Sequence, residues 1–197
     1  MNSPVLNPNQ LYTYADYFAW NDDKRYELYN GIVWCMSPAP SIWHQSVLGN
    51  VYGDIKYHLK GKKCKVFFAP IDVKLADNVV LQPDIIVVCD LQKLNDKRFC
   101  NGAPDLVVEA LSPATQKKDL HEKYELYEKY GVREYWIVHP LDETLMVFKL
   151  VGTKFVLDGL YSYEDKVKVG IFEDLEIDLR HVFEHEEDEH KIKLNIV

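Results

Sequence analysis

The chain has no apolar stretch long enough to cross a membrane, and its amino terminus lacks both the basic start and the apolar core of a secretion signal. Its four cysteines, Cys35, Cys64, Cys89 and Cys100, are irregularly spaced and form no Cys-x-x-Cys pair. Three of them lie in or beside apolar runs, where a thiol acts as a small hydrophobic group. These absences predict a soluble protein of the reducing cytoplasm, with no membrane partner.

Several cofactor motifs are also missing. Neither G-x-x-x-x-G-K-[ST] nor G-x-G-x-x-G occurs, so the sequence predicts no nucleotide cofactor. The segment from His185 to His190 is not an H-E-x-x-H zinc motif, because the second histidine falls five residues after the first and Glu189 takes its place.

Positive charge is scarce overall, but the imbalance is local. The chain has a net charge of −8, and residues 171–190 hold nine acidic residues and one basic residue, so the remainder is neutral. No repeat or Ser/Gly-rich linker divides the 197 residues, which predicts one domain over residues 1–180 and an acidic, partly frayed tail over 181–197. A neutral body with clustered lysines is compatible with a nucleic-acid partner, although such clusters are more often solvated surface.

The residue pattern predicts a mixed α/β fold. A capping-box pattern at Thr13–Asp16 begins a short helix, Asn30-Gly31 is a strong turn signal within a hairpin over Tyr26–Met36, and a long helix runs from Ser41 to Gly61. Further strands are predicted at 66–75, 85–89, 106–111, 134–138, 144–149, 154–157 and near 167–172, with a second long helix at 115–130.

Two carboxylates lie at the ends of apolar runs that read as neighbouring strands. Asp84 opens the run 85–88, and Glu109 ends the run 106–108. An ionised glutamate in a buried strand costs several kcal/mol unless a positive charge meets it. Because magnesium binds through one or two carboxylates plus phosphate oxygens, we predict that Asp84 and Glu109 bind Mg²⁺, for which Mn²⁺ could substitute.

A lysine and a third acid complete the predicted site. Lys123 lies on the following helix, and its long, flexible stem could bring a point charge to the same place. Glu27, on the first hairpin strand, could be a third acid. Two acids and a lysine suit the metal-dependent hydrolysis of phosphodiester bonds.

Plainer interpretations stay open at this point. Asp84 could be a turn residue after a proline, Glu109 could simply close a strand, and Lys123 could be an exposed lysine. The alternative function is a catalytically inactive nucleic-acid-binding or oligomeric interaction module on the same fold. A nuclease acting on RNA is a third possibility.

Six sequence blocks occur in order at consistent separations. They are YELYNG at 26–31, MSP with HQ at 36–38 and 44–45, PDI at 83–85, GAPDLVVEALSPAT at 102–115, EK at 122–123 and GVREYWIV at 131–138. Together they resemble the Uma-two family of predicted endonucleases, a branch of the PD-(D/E)XK restriction-endonuclease-like superfamily, over about residues 10–180. The resemblance implies a central mixed β-sheet flanked by helices, a magnesium-dependent nuclease site and a homo-oligomer such as a homodimer. Together with the spacing of the two acids and the lysine, it predicts a metal-dependent endonuclease acting on DNA.

The resemblance also implies roles for individual residues. It carries the superfamily's aspartate onto Asp84 and its glutamate onto Glu109. Where the superfamily has E-x-K, this chain has Glu109-Ala110-Leu111, so the lysine is missing from the strand. In this branch the lysine has moved to the following helix, which Lys123 matches, and Glu27 matches an additional acid on an early element.

Overall fold

A computed structural model describes residues 6–20, 24–36, 39–112 and 116–185. A 3₁₀ turn at Leu91–Leu94 and a π-helical turn at Lys118–Lys123 accompany the helices and strands. In chain order these are α1 (Tyr14–Ala19), β1 (Tyr26–Tyr29), β2 (Ile32–Cys35), α2 (Ile42–His58), β3 (Lys65–Phe68), β4 (Asp72–Ala76), β5 (Val79–Leu81), β6 (Ile85–Val88), β7 (Phe99–Asn101), β8 (Leu106–Ala110), α3 (Tyr124–Tyr130), β9 (Glu134–His139), β10 (Thr144–Val151), β11 (Lys154–Ser162), β12 (Lys166–Lys168), β13 (Glu176–Asp178) and α4 (Leu179–Val182).

Two larger sheets form the body of the protein. The six-stranded sheet has the order β11-β10-β9-β8-β6-β3, in which only β8 and β9 are parallel. The five-stranded sheet has the order β2-β1-β5-β4-β7, in which only β4 and β7 are parallel, and β12 pairs with β13 separately. Helices flank the mixed six-stranded sheet, which confirms the predicted fold class.

The six-stranded sheet is buried on both faces. The apolar stripe of α2 packs with Leu106, Val108 and Trp136 on one face. Leu126 and Tyr127 of α3 pack with Val107 on the other. Because successive side chains of a strand point to opposite faces, Glu109 points to the face that α3 covers.

The local signals in the first half of the chain are confirmed. Thr13 and Asp16 form both bonds of a capping box at the start of α1, and the Ser41 side chain caps α2. Asn30 and Gly31 have φ values of 52° and 86° in the turn between β1 and β2, which suits a type I′ hairpin. A Cβ at Gly31 would also lie 2.9 Å from the Cβ of Leu11, so only glycine fits there.

One predicted strand is wrong as a single element. The run 66–75 forms two strands, β3 and β4, which belong to different sheets. Pro70 lies between them, and a residue without an N–H cannot continue the hydrogen-bonded ladder. The short strands β5, β7 and β13 were not predicted, and β11 extends further than expected, to Ser162.

The cysteine spacing gives no sign of a disulfide, but the structure contains one. Cys64 and Cys89 form a disulfide, whereas Cys35 and Cys100 are free. The pairing of Lys65 with Val88 between β3 and β6 places the two flanking cysteines opposite each other, a cross-strand relation that linear spacing does not show. No helix in the described ranges is long and apolar enough to cross a membrane. The cytoplasmic location stays a prediction.

Ordered packing continues past residue 180. Val182 and Phe183 are buried in the core, and the Asn50 side chain donates hydrogen bonds to the carbonyls of His181 and Val182. The division into a domain of residues 1–180 and a tail stays a prediction. Some of the predictions fall outside the described residues. They concern parts of two sequence blocks, at 37–38 and 113–115, the predicted helix start at 115, and the tail residues 186–197, which include His190.

The disulfide predicts a stability that depends on redox conditions. The bond closes a loop with a sequence separation of 25, so its loss should lower the free energy of unfolding by roughly 3 kcal/mol. We expect Cys64→Ala/Cys89→Ala to unfold at lower denaturant concentration than the native chain without reductant, and at the same concentration with reductant. A thiol titration of the wild-type protein, denatured without reductant, that finds four reactive thiols would contradict the disulfide.

Candidate active site

A cavity of about 620 Å³ lies between the two larger sheets. Its apolar wall includes Trp43, Leu111, Pro140 and Leu141. Its polar lining includes residues beside strands of both sheets, one residue of β8, one of α2 and two of the π-helical turn: Arg25, Gln82, Asp84, Glu109, His44, Asp119 and Lys123. The cavity therefore brings together Asp84, Glu109 and Lys123 from three separate elements.

The strand pairing places Asp84 beside Glu109. Ile85 of β6 pairs with Val108 of β8 in antiparallel register, and the next step of the register sets Asp84 opposite Glu109. Asp84 Oδ2 accepts a hydrogen bond of 2.8 Å from the Ala110 N–H, and its backbone carbonyl accepts one from the Ala69 N–H. These bonds fix Asp84 directly before the start of β6.

Lys123 is a buried cation, not an exposed one. Its side chain is 6 % exposed, and Nζ lies 2.9 Å from Glu109 Oε1, 3.2 Å from Asp119 Oδ1 and 3.5 Å from Glu27 Oε1. Burial by itself lowers the pKa of Lys123, but the charges of Glu109, Glu27 and Asp119 outweigh it and hold the pKa well above its usual value. The raised pKa favours the protonated form of Lys123, which is a hydrogen-bond donor.

The surroundings of Asp84 and Glu109 disfavour the ionised form of both carboxyl groups. Burial raises the pKa of Glu109 well above its usual value, and Lys123 offsets this only in part, because Asp119, Asp84 and Glu27 add negative charge. Burial also raises the pKa of Asp84, against the hydrogen bond from Ala110 and the charge of Lys123. The cluster thus holds more negative charge than its one lysine neutralises.

Glu27 lies beside Lys123 but does not line the cavity. Its Oε1 accepts a hydrogen bond of 2.9 Å from the Gln82 N–H, and its Oε2 accepts one of 2.8 Å from the Tyr29 hydroxyl. Both oxygens therefore have protein partners. The geometry suits a residue that holds Lys123 in place, whereas a third metal ligand would need a free oxygen.

The helical segment after β8 supplies three polar groups to the cluster. Asp119 and Lys123 both lie in the π-helical turn, a feature often found at functional sites. One turn later, the Tyr127 hydroxyl donates a hydrogen bond of 2.8 Å to Glu109 Oε1, the same oxygen that Lys123 contacts. The Tyr135 hydroxyl donates one of 3.0 Å to the Asp119 carbonyl and anchors the turn to β9.

Two residues of the cluster were not predicted as site residues. Asp119 stands four residues before Lys123, but such a pair usually indicates an exposed ion pair on a helix. His44, at the start of α2, places Nε2 3.1 Å from the Ala110 carbonyl oxygen and 3.8 Å from Asp84 Oδ2. Its sequence position alone carries no sign of this contact with a strand 66 residues away.

The donor set fits a divalent cation that keeps some of its own water. Asp84 Oδ1 and Glu109 Oε2 make no hydrogen bond within the described part of the chain, and both residues line the cavity. Across residues 6–20, 24–36, 39–112 and 116–185, no three His, Cys, Asp or Glu side chains are grouped closely enough to hold a metal by themselves. Magnesium needs only one or two carboxylates when water and phosphate oxygens complete its shell.

A solved structure shares this fold. It is the crystal structure of a protein from Anabaena variabilis ATCC 29413, described as "a putative nuclease belonging to DUF820". The two chains superpose with a TM-score of 0.71 at 17 % sequence identity, over 87 % of this chain and 97 % of that one. The likeness shows the fold, which is restriction-endonuclease-like. No curated protein matches the chain.

The sequence itself assigns the family. The family described as "Putative restriction endonuclease", Uma2, matches residues 14–180. This range includes every element from α1 to β13 and all the residues of the cavity named above. The chain therefore belongs to the Uma2 family of nuclease-like proteins.

Proposed function

We propose that the protein is a metal-dependent endonuclease that hydrolyses the phosphodiester bonds of DNA. The observation that carries this proposal is the convergence of Asp84 and Glu109, from neighbouring strands, with the buried ammonium group of Lys123 in one cavity. Membership of a nuclease family supports it. A homodimer, which the family resemblance implies, stays a prediction.

Asp84 and Glu109 are the residues that would hold Mg²⁺ or Mn²⁺. When bound there, the ion supplies Lewis-acid polarisation of a phosphoryl oxygen and lowers the pKa of the attacking water. The antiparallel register of β6 and β8 sets Asp84 opposite Glu109, and burial raises the pKa of both carboxyl groups, which supports this assignment. A divalent cation would offset their negative charge.

Lys123 would stabilise negative charge that develops during the reaction. Because its pKa is raised, it stays protonated, and it can donate a hydrogen bond to a phosphoryl oxygen or to the attacking water. The same shift favours a role as hydrogen-bond donor over a role as general base. Glu27, Asp119 and Tyr127 would act through position: the two acids hold the ammonium group, and the tyrosine holds Glu109.

The first prediction concerns cleavage. Asp84→Asn should lower the rate of plasmid or oligonucleotide cleavage in Mg²⁺ by at least about 100-fold, because the variant removes a charged oxygen ligand. The matched control is Asp174→Asn, an exposed acid that does not line the cavity, which should cleave like the native protein. Equal cleavage by both variants, or none by the native protein with either metal, would contradict the proposal.

The second prediction concerns stability without metal. The pKa of Asp84 is raised by burial, so the folded state loses stability as pH rises from the unfolded pKa through the folded one. Near neutral pH in EDTA, Asp84→Asn should therefore raise the melting temperature, by about 2–4 °C if roughly 1 kcal/mol is recovered. Mg²⁺ should raise the melting temperature of the native protein more than that of the variant.

The control for this stability measurement is Asp142→Asn, because Asp142 is exposed and lies outside the cavity. It should not gain stability in EDTA. If Asp84→Asn lowers the melting temperature in EDTA while Asp142→Asn leaves it unchanged, Asp84 is not a stressed carboxylate and the ligand assignment fails.

The third prediction concerns the lysine. Lys123→Ala leaves three carboxylates without a counter-charge in a buried cluster, which should cost about 3–5 kcal/mol of unfolding free energy. This loss of unfolding free energy should become smaller as pH falls, because protonation neutralises the carboxylates that have lost their counter-charge. Denaturant unfolding at several pH values measures this. Lys118→Ala, which removes the contacts of that lysine with the Trp34 and Tyr29 rings, should cost about 1 kcal/mol or less.

A further inference from the structure

Arg25 lies on the same face of the hairpin as Glu27. The Met36 N–H donates a hydrogen bond of 2.9 Å to the Arg25 carbonyl, so the pairing of β1 with β2 continues one residue before Tyr26. Residues two apart on a strand point to the same face, about 6.6–6.8 Å from each other. Arg25 therefore stands one strand repeat from the acid that holds Lys123, and its side chain lines the cavity.

Gln82 fixes the orientation of the guanidinium group. Arg25 Nε donates a hydrogen bond of 2.7 Å to Gln82 Oε1. The amide nitrogen of the same side chain, Gln82 Nε2, donates to Asp72 Oδ1 at 2.8 Å and to the Tyr17 hydroxyl at 3.1 Å, which sets which end of the amide faces Arg25. Gln82 is buried, so it is a rigid support for one edge of the arginine.

The other edge of Arg25 makes no hydrogen bond to any residue that the structure describes. An arginine has five N–H donors, and among the described residues only the Nε–H of Arg25 makes a hydrogen bond. The three other arginines of the chain, Arg98, Arg133 and Arg180, each contact an aspartate carboxylate. Arg25 thus differs from them in having an anchored Nε and four donors available to a ligand.

The cavity also needs such a group. Three of its lining residues, Asp84, Glu109 and Asp119, are acids that repel an anionic substrate. Lys123 already contacts three carboxylates, so Arg25 is the lining cation with donors to spare. A planar guanidinium group with two free nitrogens matches the oxygens of a phosphate.

We propose that Arg25 binds a backbone phosphate of the nucleic-acid substrate next to the phosphate that is cleaved, and that Gln82 is its positioning residue. This inference rests on the proposed function for the identity of the ligand. It adds a substrate contact outside the group of Asp84, Glu109 and Lys123, and it assigns the five-stranded sheet a part in binding.

The test is the equilibrium binding of a fluorescently labelled DNA oligonucleotide in EDTA, measured over a series of salt concentrations. Arg25→Ala should weaken binding about tenfold and reduce the slope of log K against log[salt] by about one, because one phosphate contact is lost. Arg25→Lys should keep the slope but bind more weakly than the native protein, because lysine keeps the charge and lacks the paired N–H donors of the guanidinium group. Arg98→Ala is the matched control and should change neither quantity.

The positioning role of Gln82 has a separate readout. Gln82→Met removes the side-chain amide and leaves the backbone N–H, so it should weaken binding less than Arg25→Ala while leaving the salt slope unchanged. In steady-state cleavage assays with Mg²⁺, Arg25→Ala should raise KM with a smaller effect on kcat. A variant that lowers kcat and leaves KM unchanged would show a role other than substrate binding.

Two outcomes would overturn the inference. One is that Arg25→Ala and Arg98→Ala behave alike in affinity and in salt slope, and the other is that the native protein binds neither DNA nor an RNA oligonucleotide of the same sequence. Binding that depends on Arg25 without any cleavage in Mg²⁺ or Mn²⁺ would instead remove the proposed nuclease activity and leave the phosphate contact intact. The two proposals therefore fail separately.

Discussion

The buried charge of Lys123 is the constraint on which the rest of the site depends. Its ammonium group contacts acids from β1, from β8 and from the π-helical turn, so one cation joins three separate elements of the sequence. In a buried setting a charge without partners is very costly, and each acid in turn needs the lysine. The site is therefore assembled by mutual neutralisation, and apolar packing alone would not hold it in this arrangement.

The short segment between β5 and β6 connects the two sheets through its polar groups. Gln82 donates its backbone N–H to Glu27 and accepts from Arg25, and two residues later Asp84 accepts from Ala110 in the six-stranded sheet. Three consecutive positions thus link the hairpin, the acid pair and the cavity wall. Pro83 restricts the backbone between the two anchors, Gln82 and Asp84.

Much of the fold and the core of the site follow from the sequence, and the exceptions have physical causes. The capping box at Thr13, the Asn30-Gly31 turn and the apolar runs of β6 and β8 are local signals, so α1, the hairpin and the facing of Asp84 and Glu109 could be predicted. Three other features depend on which strands become neighbours. They are the passage of the chain from one sheet to the other at Pro70, the Cys64–Cys89 disulfide and the contact of His44 with Ala110. Asp119 was overlooked because a helical acid–lysine pair normally lies in solvent, whereas here tertiary packing buries it.

Leu111 has a consequence beyond packing. It stands two residues after Glu109, where the E-x-K pattern of the superfamily that the sequence resembles has its lysine, and it lines the same cavity as Lys123 of the π-helical turn. Side chains at positions 111 and 123 therefore reach the same cavity, one from just past β8 and the other from the π-helical turn. The cavity is specified by where side chains lie in space, and a contiguous sequence pattern does not record that.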